Sequence, residues 1–131
     1  IGIDVVEEMI SAARNRHPDY VFYIGDVLDH KLIPYDYVVC NGILTQKLDS
    51  SIAGMNLFSK KIIQKMFSIA RYGIAFNLMT TYVNYYDENL YYQNPSVLLE
   101  WCMANLTPHV KIDCAYALKY EYTVYLYKQC E

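Results

Sequence analysis

The most constraining feature of the sequence is the regular alternation of strand-like runs with helical segments. Six short runs are rich in β-branched and aromatic residues, and three segments of helical periodicity lie between them. The predicted order is strand, helix, strand, strand, helix, strand, helix, strand, strand, in a single domain of residues 1–131. This order favours an α/β three-layer sandwich with a mostly parallel sheet.

The last two strand-like runs set the end of that sheet. Val110 to Tyr116 and Tyr120 to Lys128 are separated by too few residues for a crossover helix. Two strands joined by a short turn pair as an antiparallel hairpin. We therefore expect a mixed sheet, parallel except at its final hairpin.

Three helices are predicted from local signals. Asp4 and Glu7 have the form of a capping box, which places a helix start at Val5. An apolar face between residues 57 and 70 predicts a second helix, and Asn94-Pro95 supplies an N-cap and first-turn proline for a third.

Charge and hydropathy exclude several function classes. The formal net charge is -3 and the basic residues are scattered, so no basic field is present to attract nucleic acid. No apolar run approaches the roughly 20 residues needed to cross a membrane, and no signal peptide is visible. These features predict a soluble, cytoplasmic protein.

Cysteine and histidine spacing gives no metal site. No cysteine pair or neighbouring histidine has the spacing of metal ligands, so reduced, buried thiols are expected. Each histidine lies near a turn, where a structural or solvent-facing role is expected. The residues concerned are Cys40, Cys102, Cys114, Cys130, His17, His30 and His109.

Four stretches in this order resemble the class I S-adenosylmethionine-dependent methyltransferases. Gly2 to Ile10 is similar to the family's second strand and following helix, with an acidic residue at the strand end and a Met five positions later. Tyr23 to Val27, Tyr35 to Gly42 and Tyr120 to Lys128 resemble its third, fourth and seventh strands. The resemblance covers essentially the whole chain and implies S-adenosylmethionine as the cofactor.

The resemblance also implies a role for each motif residue. Asp4 would accept the ribose hydroxyls, and Asp26 the adenine amino group. The remaining cofactor contacts would be Val5 and Met9 as apolar walls, the Val27 N–H to an adenine nitrogen, and Asn41 and Gly42 beside the methyl group. The residues alone also allow a structural role for each: Asp4 as an N-cap, Asp26 as a turn aspartate, Met9 as a core residue and Asn41-Gly42 as a simple turn.

The family's first strand and its G-x-G-x-G loop have no counterpart here, because all five glycines stand alone. The sequence is thus expected to begin at the second strand. In the family the first strand lies between the second and fourth, so its absence would leave two unpaired strand edges. Those strands would close on each other, receive a partner chain, or drive formation of a homodimer.

The predicted reaction is methyl transfer from S-adenosylmethionine to a small-molecule acceptor. In-line displacement at a sulfonium rests largely on proximity, and the sequence identifies no general base. Five tyrosines after the fifth family strand either line an acceptor pocket or plug the loop onto the sheet: Tyr82, Tyr85, Tyr86, Tyr91 and Tyr92. The alternatives are a non-catalytic binding or dimerisation module and a nicotinamide-dependent oxidoreductase, which does not predict the terminal hairpin.

Overall fold

The structure, a computed structural model, describes residues 1–29, 31 and 34–129. Its helices and strands follow one another in the predicted order, so the mixed α/β class is confirmed. The strands are β1 (Gly2–Asp4), β2 (Phe22–Ile24), β3 (Tyr35–Cys40), β4 (Ala70–Met79), β5 (Val110–Asp113) and β6 (Glu121–Tyr127), and the helices are α1 (Glu7–Arg16), α2 (Ile52–Ile69) and α3 (Pro95–Asn105). The chain divides into two compact units, Ile1–Ile33 and Pro34–Glu131.

The first unit is a small βαβ arrangement. β1 and β2 pair in parallel, with Asp4 opposite Ile24 at the carboxyl end of both strands. α1 packs against these strands and buries Ile10. The Arg14 guanidinium donates to the Phe22 carbonyl at 2.7 Å, which ties the helix to β2.

The predicted capping box at the start of α1 is wrong. The helix begins at Glu7, its N-cap is Val6, and no side chain caps it. The Asp4 carboxylate instead accepts the Val6 N–H at 2.9 Å, two residues along the chain. A local aspartate turn therefore competes with the cap and delays the helix by two residues.

The second unit contains a four-stranded mixed sheet in the order β3-β4-β6-β5. β3 and β4 are parallel, whereas β6 is antiparallel to both β4 and β5. The terminal hairpin is thus confirmed. The third helix is confirmed as well, because the Asn94 side chain caps α3 and Pro95 is its first residue.

One face of this sheet forms the core. Ile74, Phe76 and Leu78 of β4 lie opposite Leu126, Val124 and Tyr122 of β6, and all six are buried. The buried side of α2, with Ile62, Ile63 and Met66, completes the core. The sequence prediction for α2 was wrong at its edges, because Leu57 is exposed and Ala70 already belongs to β4.

Four strand edges lack partners within the described residues, one each on β1, β2, β3 and β5. Within the described residues, β1 pairs with β2 and β3 pairs with β4, and each of β1 and β3 has one free edge. On β3, Tyr37 and Val39 are both exposed.

Of the described cysteines, Cys102 is buried, Cys40 is half-buried and Cys114 is exposed, and all three are free thiols. The expectation of burial is therefore wrong for Cys114, which lies in the turn between β5 and β6. His17 and His109 are exposed, whereas His30 and Cys130 lie outside the described residues. In the part of the chain described, no His, Cys, Asp and Glu residues cluster as metal ligands, and no helix could span a membrane.

Candidate functional site

In the first unit, the two predicted nucleoside-binding acids follow neighbouring parallel strands. Asp4 ends β1, and its carbonyl accepts the Gly25 N–H at 2.9 Å, one residue before Asp26. The carboxyl ends of parallel strands are where ligands bind in open α/β sheets. The structure therefore brings Asp4 and the Gly25-Asp26 turn to one edge, as the sequence predicts.

Both carboxylates use one oxygen in a local turn. An oxygen of Asp4 accepts the Val6 N–H at 2.9 Å, and an oxygen of Asp26 accepts the Leu28 N–H at 2.8 Å. The second oxygen of each side chain has no hydrogen-bond partner among the described residues. The turn interpretation is thus correct for Asp26, whereas Asp4 forms a local turn in place of the predicted N-cap. Each carboxylate keeps one oxygen for a ligand hydroxyl or amine.

The other predicted contacts in this unit are open to solvent. Val5 is exposed, and Met9, at 59% exposure, is not a core residue. Val27 is half-buried, and none of the hydrogen bonds in the described residues uses its N–H. Their roles toward a cofactor remain predictions.

In the second unit, Asn41 and Gly42 follow the carboxyl end of β3. Gly42 has φ +83°, a left-handed backbone conformation that is strained for residues with a side chain. Both Asn41 and Gly42 are exposed. A Cβ at Gly42 would have no atom within 4 Å, so glycine serves the backbone conformation and leaves open space beside it. This agrees with a backbone that a ligand can approach closely.

A polar chain that sequence reasoning missed reaches Gly42 from β4 and β6. The Gly42 N–H donates to the Asn77 side-chain oxygen at 2.8 Å, and the Asn77 amide nitrogen donates to Glu121 at 3.1 Å. Asn77 stands between the buried residues Phe76 and Leu78 and is itself only 8% exposed. A lone amide inside an apolar strand was the available signal.

Tyr116 lies near the same carboxylate. Its hydroxyl accepts a hydrogen bond from Thr123 at 3.1 Å. Burial raises the pKa of Tyr116, the Thr123 hydrogen bond opposes this, and the negative charges of Glu121 and Asp113 raise the pKa further. The phenol is thus held in its neutral form and keeps a proton to donate.

A cavity of about 480 Å³ opens in the tyrosine-rich segment after β4. Its walls are mostly apolar and aromatic, with a few charged groups: Lys47, Ile52, Thr81, Tyr86, Asp87, Glu88, Leu90, Tyr91 and Tyr92. The Tyr91 N–H donates to the Thr45 carbonyl at 2.9 Å, and the Thr45 hydroxyl donates to the Gly42 carbonyl at 2.8 Å. The cavity wall is therefore tied to the loop that carries Gly42.

The five tyrosines differ in their surroundings. Tyr91 is 1% exposed, and its hydroxyl bonds with the Asn56 and Gln93 side chains, so it anchors the segment. Burial raises the pKa of Tyr91, and a hydrogen bond with Ser59 opposes the increase. Tyr86 and Tyr92 line the cavity and meet edge to face at 4.8 Å, whereas Tyr82 and Tyr85 project into solvent.

Comparison with known proteins gives structural but no sequence matches. No protein-family model matches the chain, and no curated protein matches its sequence. Magnesium protoporphyrin IX methyltransferase (ChlM) from Synechocystis PCC 6803, crystallised with bound SAH, matches 98% of this chain at a TM-score of 0.69 and 13% identity. An S-adenosylmethionine-dependent methyltransferase from Clostridium acetobutylicum matches 94% at a TM-score of 0.62 and 11% identity.

The chain has the class I methyltransferase fold. The apo structure of the S-adenosylmethionine-dependent methyltransferase SibL supports the same assignment, with a TM-score of 0.67 over 95% of this chain at 9% identity. The chain spans 63% of the SAH-bound ChlM chain, 41% of SibL and 72% of the clostridial enzyme. At these identities the likeness establishes the fold, and activity is a separate question.

Proposed function

We propose that this chain carries the S-adenosylmethionine-binding part of a methyltransferase that acts on a small molecule. The observation that carries the proposal is the position of Asp4 at the carboxyl end of β1 and of Asp26 just beyond the carboxyl end of the parallel strand β2, each with one oxygen free of local hydrogen bonds. A ribose diol and an adenine amino group are donors that such oxygens accept. The solved structures with bound SAM or SAH share this fold.

The cavity supports a small molecule as the methyl acceptor. Its volume of about 480 Å³ lies within the range of roughly 300–1,000 Å³ usual for small-ligand sites. Apolar and aromatic walls with a few charged groups suit a compact, partly apolar acceptor. The three free thiols of the described residues suit a reducing compartment, and a cytoplasmic location is part of this proposal.

Catalysis in this proposal needs positioning more than acid–base chemistry. A sulfonium methyl group transfers in a single in-line displacement when acceptor and donor are held in contact. Gly42, with open space beside its Cα, lies on the loop tied to the cavity wall and would border the methyl group.

Calorimetric titration of S-adenosylhomocysteine tests the cofactor assignment. It is performed on this chain and on the product of the complete reading frame, with Asp4→Ala as the test variant. Loss of a charge-assisted hydrogen bond is expected to weaken binding about 10-fold to 100-fold. Asp19→Ala, in the exposed turn after α1, is the matched control and should bind like the wild type.

Absence of binding by both wild-type proteins would refute the methyltransferase proposal. It would favour the second candidate function, a non-catalytic module that binds a partner or a second copy. The free edge of β3, where Val39 is 73% exposed, is the observation that favours this alternative. Sedimentation of the chain as a dimer without affinity for the cofactor would support it.

A further inference from the structure

A chain of hydrogen bonds crosses three strands at the carboxyl edge of the second unit's sheet. It runs from the Gly42 N–H beyond β3, through the Asn77 amide of β4, to the Glu121 carboxylate at the start of β6. The donor–acceptor distances are 2.8 Å and 3.1 Å, both within the range of normal hydrogen bonds. Residues from all three strands therefore set the geometry of the Gly42 turn.

The orientation of the Asn77 amide follows from its two neighbours. An ionised carboxylate only accepts hydrogen bonds, so the amide nitrogen of Asn77 must face Glu121. The amide oxygen then faces Gly42, whose N–H only donates. A buried amide is costly unless it is hydrogen-bonded, and these two contacts engage both ends of the side chain.

Both backbone polar groups of Gly42 are hydrogen-bonded to side chains. Its N–H is engaged by Asn77, and its carbonyl accepts the Thr45 hydroxyl at 2.8 Å. The backbone is fixed at φ +83°, and a Cβ there would meet no atom within 4 Å. The result is a preformed backbone surface that faces open space.

We propose that Asn77 and Glu121 are positioning residues, which hold the Gly42 turn in the conformation that receives the methyl-bearing end of the cofactor. This role rests on the proposed function. Neither side chain need touch the reacting atoms, because Asn77 acts through Gly42 and Glu121 acts through Asn77. Preformed geometry avoids the entropic cost of ordering the turn on binding.

Exchanging the amide and carboxylate groups of Asn77 and Glu121 tests the proposal. Asn77→Asp keeps an acceptor for Gly42 but sets a second carboxylate against Glu121, which should weaken S-adenosylhomocysteine binding about tenfold at pH 8. Glu121→Gln retains an uncharged acceptor for Asn77 and should weaken binding by no more than about threefold. In the double variant the glutamine amide can donate to the new carboxylate, and affinity should return to within about threefold of the wild type.

The pH dependence separates positioning from a general structural defect. Two carboxylates in contact share one proton as the pH falls, so the Asn77→Asp variant should recover affinity relative to the wild type below about pH 6. The amide resonance of Gly42 should move in this variant and return in the double variant. Thr123→Val, opposite Asn77 on the same face, is the control and should leave both readouts unchanged.

Two outcomes would overturn the positioning role of Asn77 and Glu121 without overturning the proposed methyltransferase function. Wild-type affinity in the Asn77→Asp variant, despite a shifted Gly42 amide resonance, would refute the positioning role. An unshifted Gly42 resonance would refute the hydrogen-bond chain itself. Failure of the proposed function looks different, because then the wild-type proteins do not bind S-adenosylhomocysteine at all.

Discussion

The two units of this chain differ in how much core each one has. In the described part of the first unit, Ile10 is the one buried apolar side chain, and the sheet consists of two three-residue strands. The second unit buries alternate residues of β4 and β6 together with one side of α2. A two-stranded sheet is marginally stable by itself, so the candidate nucleoside-binding acids lie on the less stable unit. Binding residues are commonly found in regions of low local stability.

Amide hydrogen exchange is expected to show the largest difference between the units. We expect the central strands β4 and β6 to open only with global unfolding, and β1 and β2 to open locally. The exchange rates of the β4 and β6 amides should therefore be at least about a hundredfold lower than those of the β1 and β2 amides. Equal protection in the two units, measured by NMR or mass spectrometry, would contradict this comparison.

A matched pair of isoleucine substitutions sharpens the comparison. Ile63 and Ile10 are 1% and 2% exposed, one in each unit. Ile63→Ala should lower the free energy of unfolding by about 2–5 kcal/mol through lost burial and a residual cavity. Urea denaturation followed by Trp101 fluorescence reports this loss, since Trp101 lies in α3.

Ile10→Ala should leave that transition in place. Its effect is expected in α1 and β2, as faster amide exchange. If Ile10→Ala moves the Trp101 transition as far as Ile63→Ala does, the two units unfold together and the comparison fails.

Two glycine substitutions, one in each unit, should also differ in their cost to stability. A Cβ on Gly73 would lie 2.8 Å from the Leu126 carbonyl oxygen, which is backbone and cannot turn away. Gly73→Ala is therefore expected to cost about 1–3 kcal/mol, measured by the same denaturation. At Gly2 the contact is 2.6 Å from a Phe22 ring atom, a side chain that can rotate. A cost for Gly2→Ala equal to that of Gly73→Ala would count against this reasoning.

The smallest expected effect concerns the helix caps. Asn94 caps α3 through hydrogen bonds to Ser96 and Val97, so Asn94→Ala should destabilise the protein by about 1 kcal/mol. The N-cap of α1 is Val6, which has no capping side chain, and Val6→Ser should slow amide exchange in the first turn of α1. Unchanged exchange would show that the Asp4 turn already satisfies this helix end.

The resemblance located candidate residues that the structure places at strand ends, but their binding roles stay predictions. The structure shows Asp4 and Asp26 in local turns with one oxygen each to spare, which a sequence pattern cannot distinguish from full engagement. Exposure was also unpredictable, because Met9 and Leu57 have the helical spacing of core residues and yet face solvent. Periodicity identifies an apolar face but not the extent of the surface that covers it.

By itself the sequence determined the order of strands and helices, the antiparallel hairpin at the end and the cap of α3, because those features depend on residues a few positions apart. Only the tertiary structure decided the surroundings of Gly42. Asn77 lies 35 residues from Gly42, and Glu121 lies 44 residues from Asn77. Such partners meet through strand pairing and register, which position each side chain by contacts that local propensity does not contain.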